Sequence, residues 1–92
     1  MTSDGAARTV TILNAKGLHA RASAKFVKCA EAFDARVSVS KDGQTVGGTS
    51  IMGLMMLGAA PGSVVKLSAT GPDSADVLNA LEALIRSRFG ED

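Results

Sequence analysis

An α+β fold, with a four-stranded, mainly antiparallel sheet carrying three helices on one face, is what this sequence predicts, and three observations predict it. Segments whose apolar residues recur every second position are interspersed with segments whose apolar residues recur every three or four, in the order βαββαβα. Each strand offers one apolar face and each helix one apolar stripe, so a single layer of helices over a single sheet buries both. The 92 residues suffice for one domain with one core and leave no material for a second.

The first strand is expected over Arg8 to Leu13, where Val10 and Ile12 interleave with Thr9 and Thr11, and residues 1–7 are expected to form a flexible N-terminal extension. From Ala20 to about Phe33, the residues Phe26, Val27, Ala30 and Phe33 recur at helical steps, with Lys25, Lys28 and Glu31 on the opposite side. Arg36 to Ser40 alternates through Val37 and Val39, and the Asp42-Gly43 pair suits the positive φ angles of a tight hairpin. Its partner strand is expected at Gln44 to Thr49, weakened by Gly47 and Gly48. Ser50 in front and Gly58 behind mark a two-turn helix ending near Leu57. Pro61-Gly62 then turns the chain into a fourth strand, Ser63 to Ala69, in which Val65, Leu67 and Ala69 share a face. After Gly71-Pro72-Asp73, a last helix is capped by Asp73 or Ser74, has Asp76 in its first turn and Arg86 and Arg88 at its C-terminal end, and carries Val77, Leu78, Leu81, Leu84 and Ile85 on one stripe.

Composition removes several classes of function. Ten Lys and Arg against nine Asp and Glu leave a formal charge of +1, with no basic block to follow a nucleic-acid backbone. No apolar stretch approaches the ~20 residues that span a bilayer, and the N-terminus lacks the pattern of a signal peptide. A cytoplasmic protein with neither nucleic acid nor membrane as partner is therefore expected. One histidine and one cysteine supply no metal-ligand set, and no metal or cofactor is expected. No substrate-binding glycine loop and no base paired with a nucleophile are present, which argues against a turnover enzyme. Cys29 lies beside the apolar stripe of the first helix and is expected to be a small buried hydrophobe.

Chemistry concentrates at His19, in the run GLHARASAKF, where a glycine closes one segment and a helix pattern begins. A helix start presents unpaired N–H groups and the positive end of the helix dipole, both of which favour an anion. Imidazole, with an unperturbed pKa of roughly 6.5, is a neutral nucleophile near pH 7 and gives a reactive phosphoryl derivative. A phosphate on His19 would be held by the backbone N–H groups of Ala20 and Arg21 and by the planar guanidinium of Arg21. The plainer alternatives are a capping or surface histidine and a solvated first-turn arginine. The middle helix is the second informative segment, because Ile51, Met52, Leu54, Met55, Met56 and Leu57 make it apolar almost all round. With Leu54 and Leu57 turned inward, Ile51, Met52 and Met55 form an exposed patch whose flexible methionines suit several partners. The alternative is a wholly buried helix with a loosely packed methionine core.

Three separated runs, GLHAR around His19, TSIMG around Ser50 and LGAAPGSVVKLSATGPD from Leu57 to Asp73, occur in this order over nearly the whole chain. In this the sequence resembles HPr, the histidine-containing phosphocarrier family of the phosphoenolpyruvate-dependent phosphotransferase system. The resemblance implies an open-faced β-sandwich and a monomeric carrier whose His19 accepts a phosphoryl group from enzyme I, on a ring nitrogen left open, and passes it to a IIA-type protein. It also implies that Ile51, Met52 and Met55, with Lys28 at the edge, contact those partners. Ser50, whose simplest role is to cap the middle helix, is by the same resemblance the target of an HPr kinase. Many family members have proline and alanine where this chain has Ala22 and Ser23. Loss of the fixed φ should leave the turn after His19 less preorganised, by about 0.5–1 kcal/mol. Glu31 departs from the more basic first helix of some relatives. These differences leave sugar-transport, nitrogen-related and purely regulatory relays open. The alternative function is a regulatory protein-binding domain of the same fold whose output is partner binding controlled by phosphorylation state, since fold does not fix function.

Overall fold

The structure, a computed structural model, describes residues 5–91. Its elements are β1 (Ala6–Thr11), α1 (Ala20–Glu31), β2 (Arg36–Lys41), β3 (Gln44–Gly47), α2 (Ile51–Met56), β4 (Val64–Thr70) and α3 (Ser74–Arg86), followed by a 3-10 turn at Arg88–Gly90. The strands form one sheet in the order β1-β4-β2-β3, with every neighbouring pair antiparallel. Both the βαββαβα order and the open sheet agree with the sequence.

Alternation along each strand decides which face is covered. Val10 stands opposite Val65, Val39 opposite Leu67 and Val37 opposite Ala69, and all six are buried. These cross-strand pairs form the floor of the core. Its roof is Phe26, Val27 and Ala30 of α1 with Val77, Leu78, Leu81 and Ile85 of α3. Helix α3 lies over β1 and β4, α1 packs beside α3 and α2, and α2 adjoins β3. The edge strand β1 is tied to α3 from outside the core by Arg8, whose Nη1 lies 3.0 Å from Glu82 Oε1. With Arg86 also paired to it, the Glu82 carboxyl is held below the usual carboxylate range, first by the Arg8 hydrogen bond.

Several boundaries move, each for a tertiary reason. Strand β1 begins at Ala6, so Ala6 and Ala7, expected in a flexible extension, are paired with Ala69 and Ser68; residues 1–4 of that extension lie outside the described residues. The seven-residue β4 offers partners beyond Arg8, which local alternation does not reveal. At its other end the strand stops at Thr11, and Leu13 is exposed. Strand β3 stops at Gly47, and the Gly48 N–H donates to the Val37 carbonyl at 2.8 Å. The turn between β2 and β3 has the expected geometry, with φ of 50° at Asp42 and 83° at Gly43. Asp73 occupies the cap position of α3 but makes no side-chain cap bond; its Oδ2 accepts the Asp34 N–H at 2.8 Å, joining two loops instead. Arg88 lies beyond α3, in the following turn. Cys29 is half-buried against the core rather than fully buried, and that burial pushes its thiol pKa up.

Candidate functional site

The segment between β1 and α1 is laid against residues 59–63. The Ile12 N–H donates to Ser63 O at 2.9 Å, Gly62 N–H to Ile12 O at 2.8 Å, and Leu18 N–H to Ala59 O at 3.0 Å. Gly17 makes this contact possible, since its φ is 62° and an added Cβ would lie 2.1 Å from the Ala59 oxygen. Leu18 is buried, and the chain emerges with His19 at the mouth of α1.

His19 is itself the N-cap. Its backbone is extended, its carbonyl accepts the Ser23 N–H at 2.8 Å, and its Nδ1 accepts the Arg21 N–H at 3.2 Å. The other ring nitrogen, Nε2, lies 2.5 Å from Oε2 of Glu91. This hydrogen-bond pattern assigns the tautomer: Nδ1 carries the lone pair and Nε2–H donates to the carboxylate. The second oxygen of Glu91 accepts from Asn14 Nδ2 at 3.2 Å, and Asn14 Nδ2 also donates to Gly17 O at 2.8 Å. Glu91 is held below the usual carboxylate range, first by the His19 hydrogen bond and further by Asn14 and by the charge of Lys16.

An open cleft of about 730 Å³ lies over this arrangement, lined among others by Lys16, His19, Arg21, Lys25 and Glu91. Three cationic side chains and one carboxylate make it a place for an anion with several oxygens. The Ala20 N–H has no acceptor among the described residues. The Arg21 N–H, also expected as a phosphate donor, is taken up by Nδ1, because the imidazole lone pair sits within reach of it. Ala22 and Ser23 are both buried, and Ser23 Oγ donates to Leu18 O at 3.2 Å. The departures at Ala22 and Ser23 therefore act on packing beneath the helix start, whereas Glu31 is exposed.

Ser50 and α2 do not line the cleft and form a second surface. Ser50 Oγ accepts the Gly53 N–H at 3.0 Å, the expected cap. Leu54 and Leu57 are buried, while Ile51 and Met55 are about 40 % exposed and Met52 71 %. The wholly buried helix is thereby excluded. Met56, left out of the expected patch, is 73 % exposed, since a six-residue helix shows solvent its C-terminal turn as well as one side. Lys28 is exposed in the last turn of α1. Asn14, Lys16, Lys25 and Glu91 are site residues that sequence reasoning missed. Glu91 stands 72 positions from His19, and no local pattern joins them.

Comparison with known proteins agrees with this fold. A family model described as the PTS HPr component phosphorylation site matches residues 6–87. The chain is 51 % identical over 84 residues to the phosphocarrier protein HPr of Cupriavidus necator, a match covering 91 % of this chain and 94 % of that one. It superposes on a crystal structure of HPr from Thermoanaerobacter tengcongensis with a TM-score of 0.91 at 47 % identity, covering 95 % of this chain and 98 % of the other. An HPr dimer from the same organism matches with a TM-score of 0.75 at 49 % identity, over 89 % of this chain and 94 % of that one.

Proposed function

The chain belongs to the HPr family of phosphotransferase-system phosphocarriers, and from that membership we propose that His19 takes a phosphoryl group from enzyme I and yields it to a IIA-type protein. One observation carries the assignment to a particular atom. Nδ1 of His19 holds a lone pair at the N-terminus of a 12-residue helix, beside a cleft bearing three cations. The Nδ1 lone pair attacks phosphorus, and the bond from phosphorus to the donor breaks with its electron pair leaving on the donor. The Arg21 N–H, released from Nδ1, turns to a phosphoryl oxygen, joined by the Ala20 N–H and the Arg21 guanidinium. These contacts hold the group without burying it, so a second protein can take it. The chain is thus a carrier, consumed and regenerated in each cycle. Incubation with phosphoenolpyruvate, Mg²⁺ and enzyme I, followed by intact mass measurement, should show a gain of one phosphoryl group that is labile to acid and stable to base. No gain, or a gain stable to acid, would refute the proposal.

The exposed residues Ile51, Met52, Met55 and Met56, with Lys28 at the edge, serve in this proposal as the docking surface for enzyme I and the IIA acceptor. Met52→Asp should weaken enzyme I binding by at least ~1 kcal/mol with little change in thermal stability. Calorimetric binding equal to that of the parent would remove the patch from the interface. At Ser50, phosphorylation by an HPr kinase would add about −1.5 to −2 charges at a cap, where helix N–H groups tolerate an anion. The same charge adjoins Ile51 and Met52, where it opposes an apolar partner. Phosphorylated Ser50 should therefore slow transfer to His19 without unfolding the domain. Equal transfer rates for the Ser50-phosphorylated and unmodified proteins would exclude such a switch.

A further inference from the structure

Beyond α3 the chain does something costly in order to bring one carboxylate back to His19. Arg88 and Phe89 both adopt left-handed backbone angles, φ of 58° and 55°. Neither residue is glycine, and each such conformation costs on the order of 1–3 kcal/mol unless its surroundings fix it. Here they do. The Phe89 side chain is buried in the core, its carbonyl accepts from Lys25 Nζ at 2.6 Å, and α1 and α3 are thereby joined to the turn. The result of this bend is that Glu91 lies with one oxygen on His19 Nε2 and the other on the buried Asn14 amide. Asn14 in turn is locked by its bond to Gly17 O, inside the same loop that delivers His19.

We propose that Glu91 is a positioning residue for phosphoryl transfer: it fixes His19 as the Nε2–H tautomer, keeps the ring in place, and balances the charge of the phosphorylated ring. The balance of the step makes this useful. When Nδ1 attacks phosphorus with its lone pair and the donor departs with the P–donor electron pair, Nε2 keeps its proton and the ring becomes a cationic phosphoimidazolium. The Glu91 carboxylate already accepts that proton in a hydrogen bond, so no proton has to leave or be replaced during the transfer. Without it, only the 3.2 Å bond from the Arg21 N–H to Nδ1 favours this tautomer, so the Nδ1–H form, which has no lone pair at the nitrogen facing the helix terminus, gains population. Lys16, Arg21 and Lys25 line the same cleft and cannot substitute, since all three are cations and none accepts a hydrogen bond.

This inference rests on the carrier assignment for its rate measurement, whereas its spectroscopic measurement stands without it. The test compares the parent with Glu91→Ala and Glu91→Asp, using histidine labelled with ¹⁵N in the full chain. The parent's neutral His19 should show a protonated Nε2 and an unprotonated Nδ1, while Glu91→Ala should show averaged shifts from a mixture of tautomers. Phosphorylation of Glu91→Ala by enzyme I should be slower by about tenfold, the lower end of the loss caused by removing a carboxylate that orients a metal-ligating histidine. Glu91→Asp should recover part of both the tautomer preference and the rate. Identical ¹⁵N shifts in parent and Glu91→Ala would overturn the proposal, as would a normal phosphorylation rate in a variant whose tautomers are mixed. A slower rate with unchanged tautomers would likewise overturn it, leaving a structural clasp. If no protein, the parent included, is phosphorylated, the carrier assignment fails and the tautomer shifts still decide the role of Glu91 as a positioning group.

Discussion

His19→Ala is expected to take up no phosphate from enzyme I, a complete loss, because the chain holds no other imidazole. Backbone donors and the Arg21 guanidinium would remain around the vacated position, yet none is a nucleophile. The variant should stay folded. His19 caps α1 through its Nδ1 bond to the Arg21 N–H, and replacing a cap by alanine costs about 0.5–2 kcal/mol. For a domain of this size each kcal/mol lowers the melting midpoint by roughly 4–8 °C. Circular dichroism should therefore report a folded protein with a moderately lower midpoint, and mass spectrometry no added phosphoryl group. Undiminished labelling of this variant would move the acceptor to another residue and dismantle the site described above.

Gly17→Ala should be the most damaging single-methyl change near the site. Alanine pays for the left-handed backbone with roughly 1–2 kcal/mol, and its Cβ would meet the Ala59 oxygen at 2.1 Å, a distance no side-chain adjustment relieves because both groups are fixed to backbone. Separating the two strands of chain breaks the Leu18 N–H bond to Ala59 O and shifts the residue that precedes His19. A total loss of about 2–4 kcal/mol is expected from strain plus overpacking. Gly43→Ala is the matched comparison: its φ of 83° is also positive, but nothing lies within 4 Å of the added methyl. It should lose only the conformational part, roughly 1–2 kcal/mol. Chemical denaturation of both variants separates the two contributions. Equal losses would mean that the approach of Gly17 to Ala59 is not tight, and that the loop has room to hold His19 in more than one position.

What the sequence could and could not determine follows the range of each interaction. The periods of two and near four fixed the number, kind and order of elements, because burying one face of a strand or helix leaves a mark every few residues. Asp42-Gly43 and Ser50 were legible for the same reason: a turn angle and a cap bond are satisfied within three or four positions. His19 stood out through uniqueness and its place before a helix, and Leu54 and Leu57 fell inward as their spacing indicates. Only the tertiary structure decided the start of β1, the use of the Asp73 carboxylate and the company His19 keeps. Ala6 and Ala7 become strand because β4 is long enough to pair with them. Asp73 abandons its own helix for an N–H 39 positions away. Glu91 reaches the imidazole from 72 positions away through a turn whose left-handed residues are held by a buried phenylalanine and a lysine on another helix. A hydrogen bond between groups so distant along the chain forms only after the core has closed, so no local pattern of residues encodes it.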